Sequence, residues 1–269
     1  MSRSLAHTLA LSLTVCALAA VVTGARLTSA NTLPGLDPGL WKMLHRGLSS
    51  ATALGAIVLA FSLSGPLRSW LLASVLLSAL PGGMLEAKSA TQLAGLAHAL
   101  ASSVLLSVLA VATLRLSPSW HGHPAATFLD EGRPSLAALA RATWIGLLIQ
   151  TALGALYRHQ ILGLLPHVAG AMLVMGMVMY AGIAAFSTEN ALAAVKRPAL
   201  VLLVATGVQM LIGLGAYLYR VEFKEQATGL AAMLTFSMIH VAVGALTTAC
   251  AALMGMQISR YVRPAVVAQ

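Results

Sequence analysis

Eight long apolar runs, almost free of charge, leave this chain few ways to fold. They are Leu5–Gly24, Trp41–Ser64, Leu67–Leu85, Thr91–Leu114, Leu139–Tyr157, Leu162–Phe186, Pro198–Tyr219 and Gly229–Met256. A helix rises about 1.5 Å per residue and the hydrocarbon core of a bilayer is about 30 Å thick, so about 20 apolar residues suffice to cross it. The runs do not alternate polar and apolar residues, which argues against a β-barrel. A buried soluble α-protein is excluded by composition: 59% of residues are hydrophobic and 9% charged, with a mean hydropathy of +0.87. The expected class is an all-α membrane protein with eight transmembrane helices. The longest loop runs from Arg115 to Ala138 and contains HGHP and LDEGRPS. Any chemistry must therefore sit inside the helical bundle or at its rim. The first run follows Arg3 as a signal peptide would, but it is longer than the ~7–15 residues of a signal core, so it reads as a retained span.

An even number of spans puts both termini on one side. That side would carry Arg3, Arg68, Arg115, Arg133, Arg141, Lys196, Arg197, Arg260 and Arg263; the other would carry Arg26, Lys42, Arg46, Lys88, Arg158, Arg220 and Lys224. The small excess on the terminal side predicts cytoplasmic termini. The net charge of +9 suits anionic lipid or an anionic ligand. Scattered over both faces, it does not suit nucleic acid. Four odd-numbered spans end in similar segments, TGARLT, GGMLEAK, ALGALYRH and GLGAYLYR, each with glycine before a cation. They hint that spans one to four repeat as spans five to eight, although cations also flank spans as simple interfacial anchors. Cys16 and Cys250 both fall inside spans and read as small packed residues.

Eight histidines complete the inventory. His7, His121, His123 and His159 lie near span ends or in loops and read as interfacial or solvated. His45, His98, His167 and His240 differ: each even span carries one, in the half away from the termini. An ionisable side chain inside a membrane is costly and marks function by default. One such histidine could merely bond a neighbouring helix. Four in matching positions suggest two pairs, His45 with His98 and His167 with His240. Neutral imidazoles on facing helices are natural axial ligands for haem iron, whereas zinc or copper calls for a denser cluster. Four residues after each histidine stand Ser49, Ser102, Ala171 and Gly244, all small. Such a strip would clear room for a flat macrocycle, and small residues equally let helices pack closely. Arg46, beside His45, is a candidate partner for anionic propionates, its bland alternative being a snorkel to the interface.

The stretches VVTGARLTSAN, LHRGLSS, LPGGMLEAKSATQLAGLAHALA, IQTALGALYRHQILGLLPHVAGAML and SMIHVAVGAL resemble the haem A synthase family of cytochrome oxidase assembly. The resemblance covers most of the chain and rests most strongly on RLTSAN and the HR dipeptide. It implies two pseudo-symmetric four-helix bundles, residues 1–116 and 138–269, joined by a cytoplasmic linker at 117–137. It further implies that haem O is a substrate at His45 and His98, its methyl group oxidised to the formyl of haem A. A resident haem b would sit at His167 and His240 and pass electrons. Haem O synthase, cytochrome oxidase subunits and an unidentified electron donor are the partners implied, and the location is a bacterial cytoplasmic membrane with the haem sites toward its outer face. Three residues before His45, where the family carries a glutamate, stands Lys42. A cation cannot take a proton as a carboxylate does. The scaffold therefore also fits a non-enzymatic di-haem cytochrome or haem-handling assembly factor. Glu86 is the acid nearest to hand as a substitute. A haem-free transporter using histidines as proton relays is the third reading, and it would need polar residues along a through-path.

Overall fold

In a computed structural model of the protein, residues 1–30, 38–86, 92–120, 127–188, 192–222 and 227–264 are described. Eight long helices dominate: α1 Arg3–Ala30, α2 Pro38–Ala60, α3 Pro66–Glu86, α4 Gln92–Leu116, α5 Leu136–Arg158, α6 Leu164–Ser187, α7 Ala193–Glu222 and α8 Ala227–Tyr261. All eight are long and apolar enough to cross a membrane. Their outward faces carry large apolar side chains such as Leu165, Leu211 and Leu173, at 78%, 70% and 68% exposure. That is the surface of an integral membrane protein, where lipid rather than water covers apolar side chains.

The helices run past the apolar boundaries read from the sequence. α1 continues through Arg26 and Leu27, and α7 begins five residues before Pro198. Leaving the hydrocarbon does not itself break a helix, because its backbone bonds are internal.

Within residues 3–116, α1 packs on α2, α2 on α3, α3 on α4 and α4 back on α1. Helices α5 to α8 close a second ring in the same order. The rings meet through α4 against α8, α1 against α8 and α4 against α5. Exchanging α1–α4 with α5–α8 maps this set onto itself, which is the contact pattern of a two-fold pseudo-repeat. The central pair α4 and α8 is lined with small residues. Ala245 and Ala249 of α8 join the core of the first ring, while Ala251, Met254 and Ile258 join that of the second. Small side chains let helices approach closely where no hydrophobic effect drives them together.

At the end holding the termini, the segment after α4 folds back as more than a tether. A short 3₁₀ turn, Pro118–Trp120, precedes strand β1, Phe128–Asp130, which pairs in parallel with β2, Val262–Pro264. Asp130 is 5% exposed. It accepts the Gly132 amide at 3.0 Å and the Leu136 amide at 2.6 Å, tying off the start of α5. Ser135 caps the same helix through Ala138. Arg260 lies 4.2 Å from the Trp120 ring centre and donates to the Trp120 carbonyl. Strands of three residues are too short to leave a periodic signal, so the sequence pattern did not reveal them.

Candidate functional site

The four histidines lie at the end of the bundle opposite the termini. Each is carried by an even helix, and α2 and α4, like α6 and α8, occupy opposite corners of their rings. The structure brings them together in two pairs. His45 and His98 have ring centres 6.0 Å apart with an interplanar angle of 85°; His167 and His240 are 6.1 Å apart at 83°. Two sites on different sequences thus share one geometry.

The odd helices build this geometry with glycine. A β-carbon added to Gly24 of α1 would fall 2.9 Å from Cε1 of His45. The corresponding distances are 3.1 Å from Gly82 to His98, 3.0 Å from Gly154 to His167 and 2.8 Å from Gly213 to His240. At Gly24 and Gly213 a real β-carbon essentially never comes that close, and at Gly82 and Gly154 it would be tighter than most, so each ring packs on bare backbone that a larger residue would crowd. These are the glycines of the four segments that ended the odd spans in sequence; their partnership with the histidines is visible only in three dimensions.

Four residues before each glycine sits a second partner: Ala20, Ser78, Gln150 and Gln209. Nδ1 of His45 lies 2.9 Å from the Ala20 carbonyl, with the Thr23 hydroxyl at 3.4 Å. Nδ1 of His98 lies 3.0 Å from the Ser78 carbonyl, and Nδ1 of His240 3.0 Å from the Gln209 carbonyl. A carbonyl only accepts, so these three rings donate from Nδ1 and turn the lone pair of Nε2 inward.

His167 is the exception. Its Nδ1 is 3.0 Å from the Gln150 amide nitrogen, which also donates to the His167 carbonyl at 2.9 Å. Here Nδ1 accepts, and the ring proton belongs on Nε2. The Gln150 Oε1 atom is buried without a partner among the described residues. Turning the amide over would offer that oxygen to Nδ1–H and free Nε2, at the expense of the donation to the His167 carbonyl, so Gln150 must also draw back from that oxygen. At His240 the Gln209 amide nitrogen already sits 3.2 Å from Nε2, and Gln209 Oε1 is likewise buried and unpartnered.

The small residues one turn deeper are occupied. Ser102 shares a 3.3 Å hydrogen bond with Ser78. A β-carbon on Gly244 would lie 2.9 Å from the Gln209 amide nitrogen. At these two positions the small side chains make room for a neighbouring helix rather than for an open strip.

Arg46 lies elsewhere. With Gly39, Lys42, Met43, Gly47 and Ser50 it lines an open groove along one face of α2, and both Arg46 and Lys42 are exposed. The cation nearest the seam of the two rings is instead Arg158. Its guanidinium donates to the carbonyl of Ala25, next to Gly24. Its neighbours matter too. Tyr157 stacks on His167 at 6.3 Å and 7°, and Arg220 donates to the Tyr157 hydroxyl. His159 packs on α4, where a β-carbon on Gly95 would lie 2.5 Å from its ring. His159 is therefore half-buried between the rings rather than solvated. Burial, and secondarily the Arg158 charge, hold its pKa below the usual histidine value. From sequence Tyr157 reads as the end of a span, Arg158 as a flanking cation and His159 as an interfacial histidine.

The remaining candidates are quickly placed. His7 bonds the Thr113 carbonyl at 3.0 Å near the termini, far along the bundle from the pairs. His121, His123 and the Glu86 side chain lie outside the described residues. Among the described residues no cluster of three or more His, Cys, Asp or Glu side chains comes together. Pairs suit a metal that brings its other ligands with it. Metal–imidazole bonds of about 2 Å, with each ring centre about 1 Å further back, put the centres of two in-line ligands about 6 Å apart. Both pairs meet that spacing; His45 and His98 already present the needed nitrogen, His240 presents it beneath the Gln209 amide, and His167 needs the Gln150 amide turned. In comparison with known proteins, the chain matches no family model and no curated protein sequence.

Proposed function

We propose that the chain is a haem A synthase-like membrane protein that holds iron porphyrin between two histidines in each half. The observation that carries this reading is the duplicated constellation: two imidazoles across a bundle, each on a glycine, with their outer nitrogens tied to the helix behind. His45 and His98 would hold haem O as substrate, and His167 and His240 a resident haem b. When bound, the iron porphyrin would supply redox chemistry for turning the haem O methyl group into the formyl of haem A, a four-electron oxidation that adds one oxygen atom and draws on an external oxidant such as dioxygen.

The chain's own part is positioning. Gly24, Gly82, Gly154 and Gly213 set ring depth, and the Nδ1 partners set ring rotation and tautomer. The surrounding apolar helices keep water from the reacting edge. The predicted topology turns this end of the bundle to the outer face of the membrane.

A non-enzymatic di-haem cytochrome or haem-handling factor is the second reading, favoured by Lys42. That cation points into the exposed α2 groove, one turn before His45, where the resembling family carries a carboxylate. Co-expression with a haem O synthase, followed by extraction and mass identification of the haems, separates the two readings. Haem A together with haem B supports the enzyme. Haem B or unreacted haem O alone, in cells where an active homologue makes haem A, supports the cytochrome. No haem at all overturns both.

A further inference from the structure

Three consecutive residues at the end of α5 reach three surroundings. Tyr157 lies on His167 in its own half. Arg158 donates to the Ala25 carbonyl of α1, one residue from the glycine beneath His45. His159 lies on Gly95 of α4, one turn before His98. The second half of the chain thus places a guanidinium against α1, on which His45 lies, and an imidazole against α4, which carries His98.

The placement is built, not incidental. α5 ends in a Schellman turn: the Ile161 amide bonds the Leu156 carbonyl at 2.9 Å and the Gln160 amide bonds the Tyr157 carbonyl at 3.0 Å. Gln160 adopts a φ of 58°, where glycine is usual. The turn stops the helix at Arg158 and swings His159 onto α4. A helix-terminal arginine ordinarily complements the helix dipole and extends toward water. Arg158 instead turns inward across the seam. Its counterpart at the end of α1, Arg26, stays within its own half, 5.8 Å from the Trp41 ring centre.

We propose that Arg158, seconded by His159, reads the carboxylates of the ligand held by His45 and His98, so that the N-terminal site is completed by the C-terminal half. The inference rests on the porphyrin reading of the histidine pairs. A guanidinium fork matches a carboxylate through two parallel hydrogen bonds, and the match strengthens away from water. His159, kept neutral by burial, adds an N–H donor without a second charge. Arg46, on the exposed α2 groove, plays the lesser part.

The test uses the full chain in lipid nanodiscs with His167 and His240 both changed to alanine, leaving one pair. Iron protoporphyrin IX and its dimethyl ester are titrated and followed by absorbance. The diacid is expected to bind about tenfold or more tightly than the ester. Arg158→Gln should bring the diacid down to the affinity of the ester and leave the ester unchanged, while Arg158→Lys should restore part of the preference. Three results would overturn the inference: equal binding of both porphyrins in the parent, a preference that survives Arg158→Gln, or an equal loss of both porphyrins, which would make Arg158 a structural pin. Failure of both porphyrins to give a bis-histidine spectrum in the parent would instead remove the underlying reading. If the double-alanine chain cannot be recovered folded, the same two titrations on the otherwise unsubstituted chain, with and without Arg158→Gln, carry the same decision.

Discussion

The two halves solve one problem with different side chains. In both, an imidazole lies on a glycine of the preceding odd helix, and the residue four before that glycine serves its outer nitrogen. In the N-terminal half that residue is Ala20 or Ser78, so the backbone does the work and the inward nitrogens make no other polar contact among the described residues. In the C-terminal half it is Gln150 or Gln209, and an amide reaches into the site at each histidine. The difference teaches that ring position and ring access are set separately. Glycine fixes where the imidazole lies, and the side chain one turn back decides what already sits on it.

The largest expected effect comes from breaking the shared part. Gly24→Val and Gly213→Val each drive a branched side chain into a histidine ring. Each should abolish haem binding in its own half and spare the other, read as loss of one of two haems by pyridine haemochrome. Equal loss from both halves in either variant would mean that the glycines serve the fold as a whole. The next largest comes from the part that differs. Gln150 is the only described partner of His167 Nδ1, so Gln150→Leu should weaken C-terminal haem binding by about tenfold or more. Ala20→Gly keeps its carbonyl, adds no bulk at this buried position and should change N-terminal binding little.

A smaller effect concerns access. Gln209 must leave His240 Nε2 before iron can bind there. Gln209→Ala should therefore speed C-terminal binding by about threefold or more, and Ser78→Gln should slow the N-terminal site, both by stopped-flow absorbance. At the seam, the lowered pKa of His159 means that folding favours its neutral form. Its contribution is fully present above the unfolded pKa near 6.5 and is lost as pH falls through that value toward the folded one. Thermal unfolding should show an acid slope to which His159 contributes, and His159→Gln should reduce it. The smallest effect is local. Gln160→Gly relieves a left-handed residue and should stabilise the chain by about 1 kcal/mol, visible as a modest rise in Tm.

Much of this was legible in the sequence, for identifiable reasons. Eight charge-poor runs dictate eight spans, and one histidine per even run dictates that the rings gather at one end. The pairing follows because antiparallel neighbours close a four-membered ring. The glycines were visible as a repeated span ending but not as ring platforms, since their contact with histidine depends on how far adjacent helices slide past one another. Gln150 and Gln209 carry a signal of their own in the sequence: an amide in the middle of an apolar helix is itself unusual. His159 looked like turn chemistry until the Schellman turn and Gly95 placed it between the halves. The β1–β2 latch is too short to be read at all.

The central claim is that each half holds one iron between two histidines. The most direct measurement is the haem-to-protein ratio and low-spin electron paramagnetic resonance of the purified chain beside its two double-alanine variants, His45 with His98 and His167 with His240. The account predicts two low-spin signals in the parent and a different single one in each variant. A parent with no low-spin signal, or variants that keep both, would contradict it.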